Sequence, residues 1–331
     1  MLKKTNNKLL FYTIPFLLGV MSSFSLPPYN IFFFNFITFP FFLIFFLNNY
    51  KKNKWKSFII GWLFGFGYFL SNLYWITNSL TYEEIFKILI PIALVLIPLF
   101  LGLFYGIATY AFSFFKLDRN YSSILIFALI LSFIEFVRGN ILGGFPWNLI
   151  AFSWTEYTNF LQILALIGTY SFNLLSITFF LAPSIIFFNK SFRLKIMFNI
   201  LLIFFIGINF YYGKQVINNY NKEKSIALDT NIKIVSPNIK LDRFFRNEDP
   251  SIIINELIEL SKPSKDSEIF IFPEGILANI FLNDLHIYKE NFNNNFSNNH
   301  KILIGINSYE NSKIYNSLVV LDNNLNILAK Y

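Results

Sequence analysis

Apolar residues in this chain fall in long unbroken runs, at about 9–24, 31–47, 57–77, 88–115, 121–137, 160–188 and 196–212. Each run is long enough, or nearly so, to cross a hydrocarbon layer of about 30 Å as a helix. The pattern predicts a polytopic α-helical membrane bundle with seven transmembrane helices within residues 1–212. The first run follows Lys3, Lys4 and Lys8 and ends in small residues, which also fits a signal peptide; six further spans favour an uncleaved helix. From about Ser225 the pattern changes. Short apolar stretches bounded by polar turns predict strands at 232–236, 269–272, 302–306, 314–321 and 325–329. Between them, an amphipathic helix is expected at 250–260, a possible helix from 274 through 289, and an Asn-rich loop at 291–299. Residues 225–331 therefore read as the opening of an α/β sandwich.

Several residues stand out against the apolar background. Prolines 15, 91, 98 and 183 lie in or beside the spans, where neighbouring helices can satisfy the freed carbonyls. Gly61, Gly65 and Gly67 give the third span a small-residue face suited to close helix packing. Asn72, Tyr74 and Trp75 at its outer end could face a substrate, or form part of an interfacial aromatic belt. Glu135 and Arg138, three apart, are expected to pair at the outer end of the fifth span. The loop Gly143-Gly144-Phe145-Pro146-Trp147-Asn148 is either an interfacial anchor or a lip that meets a lipid substrate through Phe145 and Trp147.

With 55% hydrophobic, 21% aromatic and 14% charged residues, the 331-residue chain is excluded from the soluble globular class. The 45 phenylalanines fit a mutational bias, so no function is read into them. Zero cysteines exclude disulfides, thiolate metal sites and a cysteine nucleophile within these residues. His286 and His300, in polar stretches, are expected to be solvated. The net charge of +8 suggests nucleic acid until its distribution is examined. Residues 1–212 carry 14 Lys/Arg against 5 Asp/Glu, and residues 213–331 carry 13 against 14. The excess lies in the apolar part and alternates between loops, with Lys51, Lys52, Lys54, Lys56, Lys116, Arg119, Lys190, Arg193 and Lys195 facing the side of the N-terminus. By the positive-inside rule that side is cytoplasmic, and seven crossings put the second domain outside. No nucleic-acid partner is implied.

The candidate chemistry lies in Glu268-Ile269-Phe270-Ile271-Phe272-Pro273-Glu274-Gly275. An apolar run of strand length stops at a proline, which fixes φ and lacks an N–H. That sets Glu274 at the carboxyl end of a buried strand, where open α/β sheets place their chemistry. The alternative is that Glu274 sits in the first turn of a helix and complements its dipole.

Together these residues resemble the apolipoprotein N-acyltransferases, a family of bacterial inner-membrane enzymes with a nitrilase-type domain on the outer face. The resemblance rests on Gly144-Phe145-Pro146-Trp147-Asn148, Ser236-Pro237-Asn238-Ile239, Phe272-Pro273-Glu274, Ile304-Gly305-Ile306 and Tyr315-Asn316-Ser317, in that order. Two positions depart from the family pattern: Ser236 stands where Gln is usual, and Phe272 where Trp is usual. The resemblance implies a Glu, Lys, Cys catalytic set whose first member and proton acceptor is Glu274. It also implies an aromatic contact to substrate shortly after the first strand, at Phe245. The implied substrates are a phospholipid acyl donor and a diacylated apolipoprotein acceptor, with no cofactor and no metal.

In the implied reaction a thiolate takes the acyl group as a thioester, and the lipoprotein's N-terminal amine then attacks it. A lysine ammonium would stabilise the oxyanion. The Lys, the Cys and the remaining nitrilase strands fall beyond Tyr331 on this reading, so the chain is expected to be an N-terminal fragment, inactive by itself, with an incomplete nitrilase-like αββα domain outside the cytoplasm. Two rival readings are a transport or scaffold protein with an external binding domain, and a membrane-tethered amidase of nitrilase type. The spans carry few of the mid-membrane ionisable residues that ion-coupled carriers use.

Overall fold

Asn7 accepts a hydrogen bond from the Leu9 N–H (2.9 Å) and opens helix α1 (Lys8–Ser23), and Asn53 does the same for Trp55 (2.8 Å) at the start of α3 (Lys54–Asn72). Each polar cap follows a break between apolar runs, so the caps punctuate what the hydrophobicity lays down. The computed structural model describes residues 7–50, 53–188, 191–222, 230–238, 249–264 and 268–331. It divides into two compact units, Met1–Lys224 and Ser225–Tyr331.

The first unit adds α2 (Asn35–Asn49), α4 (Ile90–Phe112), α5 (Tyr121–Asn140), the short α6 (Thr158–Leu161), α7 (Leu164–Leu181) and α8 (Phe192–Lys222). Among the described residues, five helical segments are long and apolar enough to cross a membrane: Phe32–Asn49, Glu84–Phe115, Tyr121–Asn140, Leu164–Phe187 and Phe192–Lys222. A sixth is bent by 50° where α3 gives way to the 3-10 helix Tyr74–Thr81, and α1 is a shorter apolar helix of 16 residues. The chain is a multi-pass membrane protein.

Helix packing follows from residue size. A Cβ added at Gly61 would overlap Thr109 and the Tyr105 carbonyl, and one at Gly65 would lie 2.9 Å from Gly102 Cα, so α3 and α4 touch backbone to backbone. Gly67 presses instead on Phe16 of α1. The phenylalanines fill the middle: Phe39, Phe42, Phe64, Phe127 and Phe180 are all buried, with Phe42 and Phe64 ring centroids 4.2 Å apart. They act as core, which is why they carry no separate functional signal.

The second unit is a five-stranded mixed sheet in the order β1 (Asn231–Ile234), β2 (Glu268–Ile271), β3 (Lys301–Glu310), β4 (Lys313–Leu321), β5 (Ile327–Lys330). The first three strands run parallel and the last two antiparallel. Helix α9 (Pro250–Ser261), capped by Asp249, makes the β1-to-β2 crossover and buries Ile254, Leu257 and Ile258 in one core cluster with Phe270, Ile302 and Val319. Together with the bundle this gives a membrane domain followed by an α/β domain.

Three local expectations are corrected. No α-helix begins at Glu274: residues 274–279 form turns, because Gly275 takes φ +65°, outside the helical region, and up to Tyr288 the expected stretch is helical only as the 3-10 helix Leu282–Tyr288. Where a loop was expected at 291–299, α10 (Lys289–Asn295) forms, and Phe292 and Phe296, four apart, bury into the core. His300 is buried, not solvated; its Nδ1 accepts from the Ser297 N–H (3.1 Å) and its ring packs on Phe270 and Phe296.

Candidate functional site

Strand β2 delivers Glu274 through a ladder that outlasts the strand itself. The Phe272 N–H donates to the Leu303 carbonyl (2.8 Å), burying the Phe272 ring, and after Pro273 the Gly275 N–H donates to the Gly305 carbonyl (3.1 Å). Between those two anchors Glu274 is exposed. Its stem lies directly over Gly305, where an added Cβ would stand 2.9 Å from Glu274 Cα and 3.1 Å from Cβ and Cγ. Glycine is therefore the residue that lets the Glu274 backbone come down on β3. Asn316 on β4, opposite Asn307 of β3, donates from Nδ2 to Glu274 Oε1 (2.5 Å).

Three stretches far apart in sequence thus meet at one carboxylate: Phe272-Pro273-Glu274 presents it, Gly305 makes room for it and Asn316 orients it. The helix-dipole reading of Glu274 loses its basis, since no helix starts there. The carboxyl end of β1 runs alongside, with the Val235 N–H bonded to the Ile271 carbonyl (3.0 Å) and Asn238 turned to φ +50°. Ile239 and Phe245 lie outside the described residues. Lys330, near the described end of the sheet, is occupied elsewhere: it donates to Ser308 Oγ (2.9 Å) and pairs with Glu310. It faces Val319 in register, on the side of the sheet away from Asn316. Among the described residues no group of three or more His, Cys, Asp or Glu could hold a metal ion.

In the membrane unit, the loop after α5 turns through Leu142, Gly143 and Gly144, all at positive φ, and carries Phe145 half-buried and Trp147 50% exposed. Trp147 stacks on Trp75 (centroids 4.7 Å, planes 20° apart) and on Phe145 (6.1 Å). Of the three residues at the end of α3, Trp75 and exposed Tyr74 keep an aromatic surface, while Asn72 is buried and bonded to Asn148 and to the Ser23 carbonyl (3.3 Å). Glu135 and Arg138 do lie together (3.9 Å), and both are fully buried.

Residues 18–182, which include this loop and both ion-pair partners, match the family model of the apolipoprotein N-acyltransferase N-terminal domain. The chain belongs to the apolipoprotein N-acyltransferase family. It is 31% identical to the apolipoprotein N-acyltransferase of Rhizobium meliloti (strain 1021) over 189 residues, covering 54% of this chain and 35% of that one. With the enzyme of Rickettsia prowazekii (strain Madrid E) it shares 28% over 289 residues, 85% of this chain and 57% of the relative. With that of Agrobacterium fabrum (strain C58 / ATCC 33970) it shares 29% over 271 residues, 77% and 50% respectively. The chain thus spans between about a third and somewhat over half the length of these curated relatives. A match over 85% of 331 residues must cross both units and run through residue 274, so the Rickettsia similarity takes in Glu274 as well as the bundle.

Proposed function

We propose that this chain supplies the membrane domain and the proton acceptor of an apolipoprotein N-acyltransferase, with Glu274 as the acceptor. The observation that carries the reading is the carboxylate held at a strand end by Gly305 and Asn316, on a chain of this family. Glu274 would take the proton from a thiol, and the thiolate would attack the phospholipid ester carbonyl. The bond to the glycerol oxygen breaks, that oxygen leaves with a proton, and the acyl group stays as a thioester. Attack by the amine of a diacylated lipoprotein then breaks the C–S bond and forms the amide, with the amine proton again passing to Glu274. Residues 1–331 hold no cysteine, so the thiol of this scheme is not among them.

Phe145 and Trp147 would form a lip that meets the lipid, and Phe245 a further contact. The alternation of basic loops supports an N-terminus in the cytoplasm, seven crossings in residues 1–212, and residues 225–331 on the outer face of the inner membrane. The test is a hybrid in which residues 1–331 are followed by the C-terminal remainder of the Rickettsia relative, assayed with a fluorescent phospholipid and a diacylated lipopeptide. Glu274→Gln keeps the shape and removes the base, so triacyl product should form at least about a hundredfold more slowly. Unchanged rates from that variant would make Glu274 structural.

A further inference from the structure

Arg138 is among the largest fully buried side chains of the described residues, at 1% exposure, and its guanidinium does not spend itself on Glu135. Nη1 donates to two backbone carbonyls of the lip, Phe145 O (2.7 Å) and Trp147 O (2.9 Å). The guanidinium also lies over the rings of Phe69 (5.2 Å) and Phe145 (5.8 Å). The Arg138 carbonyl in turn accepts from the Phe145 N–H (3.1 Å), so the loop is tied to this residue at both its backbone and its side chain.

Glu135 anchors the other side of the arrangement. It accepts from Tyr105 OH (2.7 Å) and from Asn173 Nδ2, and Asn173 Oδ1 accepts from the Ala151 N–H (2.9 Å), just past the lip. Between these points Tyr68 OH donates to the Asn148 carbonyl (3.0 Å) and Asn148 Nδ2 to Asn72 Oδ1. Side chains from α3, α5 and α7 therefore hold residues 145–151 at successive points, and Tyr105 of α4 braces Glu135 behind them. A buried ion pair is a weak source of stability, because desolvating both charges offsets their attraction. What this one provides is geometry: the two N–H groups of Nη1 lie fixed in the guanidinium plane and reach two carbonyls, which the freely rotating donors of an ammonium cannot hold in the same way.

We propose that Arg138 is a positioning residue, fixing the Phe145–Trp147 lip in the conformation that receives a phospholipid. The inference rests on the reading of that lip as lipid-contacting. Because the chain has no cysteine, a single nitroxide label can be placed at Leu142→Cys on the exposed loop tip, with Leu129→Cys on the exposed face of α5 as control. The full 331-residue chain is reconstituted in phosphatidylcholine vesicles and compared in three backgrounds: unmutated, Arg138→Lys, and Glu135→Gln/Arg138→Gln. The double variant leaves no lone buried charge, so it separates loss of positioning from loss of fold. The label at 142 should become several-fold more mobile in both variants while the label at 129 stays as it was. Trp147 emission, taken as the difference from Trp147→Phe, should be quenched by phosphatidylcholine brominated near the headgroup in the unmutated chain and escape quenching in the double variant.

An immobile label at 142 in the double variant overturns the proposal, as does equal loosening at 129 and 142, which would make the network merely structural. Quenching that survives in the double variant overturns it too. Absence of quenching in the unmutated chain, with the 142 label behaving as expected, locates the failure in the lipid-contact reading and not in the positioning by Arg138.

Discussion

Replacing Gly305 with alanine is the sharpest test of how Glu274 is held. The new methyl would stand 2.9 Å from Glu274 Cα and 3.1 Å from its Cβ and Cγ, against ordinary carbon contacts of about 3.5–4.0 Å. The side-chain end of an exposed glutamate could swing away, but Cα belongs to the backbone. Relief therefore requires the segment between the Phe272–Leu303 and Gly275–Gly305 hydrogen bonds to lift off β3. Overpacking of this kind costs about 1–3 kcal/mol. At about 1.4 kcal/mol per factor of ten, that weakens the local closure roughly 5- to 150-fold. Hydrogen–deuterium exchange of the full chain in detergent reads this directly at the Gly275 amide, which should exchange faster by that factor. Gly207→Ala on α8, where an added Cβ meets nothing within 4 Å, is the control and should leave exchange unchanged. Unaltered protection at Gly275 in Gly305→Ala would show that the close approach of Glu274 to β3 does not exist in solution, and the geometry proposed for the acceptor would fall with it.

Three further outcomes follow from named contacts. Asn316→Ala removes the only hydrogen bond that the described residues give the Glu274 carboxylate; in the hybrid enzyme it should slow acyl transfer about tenfold, yet add nothing in a Glu274→Gln background. Glu268 is buried, which disfavours its charge, but the Ser264 N–H and Lys233 outweigh this and hold its carboxyl below the ordinary range. A lowered folded-state value means stability present above the unfolded value of about 4.3 and lost as pH falls through the folded one, so acid unfolding of the second unit should shift to higher pH and flatten in Glu268→Gln. Reporter fusions after Lys56 and Lys195 should report cytoplasm, and one at Lys222 the opposite side; a cytoplasmic signal at Lys222 would refute the orientation argued from the basic loops.

The membrane helices and the strands were legible because both are written in local hydrophobic pattern. Runs of about twenty apolar residues and stretches of four to eight between polar turns leave few alternatives. The errors fell where one residue overrode the pattern. Gly275 ends any helix at its first step by taking φ +65°, and a Pro-Glu-Gly sequence carries that signal. In the Asn-rich stretch, Phe292 and Phe296 are spaced four apart, which is the helical signature that the surrounding asparagines obscured. Of the polar network around Arg138, only the Glu135–Arg138 pair was legible, from its spacing of three. Its members, at positions 68, 72, 105, 135, 138, 148 and 173, are spread over five separate stretches, and only the fold brings those stretches together.

Glu274 lies between these extremes, and the reason bears on its chemistry. Its position at a strand end could be read from four residues, but its orientation depends on Gly305 and Asn316, each supplied by a different strand. No buried charge pair is involved. The carboxylate is exposed and is aimed by backbone approach and one amide, so its direction is set before any substrate arrives. For a proposed base, preorganisation of that kind lowers the cost of reaching a reactive arrangement without demanding that the carboxylate be desolvated in advance. All of the contacts that aim it come from β2, β3 and β4. The geometry of the proposed acceptor is thus a local property of the sheet, and that of the proposed lip a property of the bundle, which is why each can be tested by substitutions that leave the other untouched.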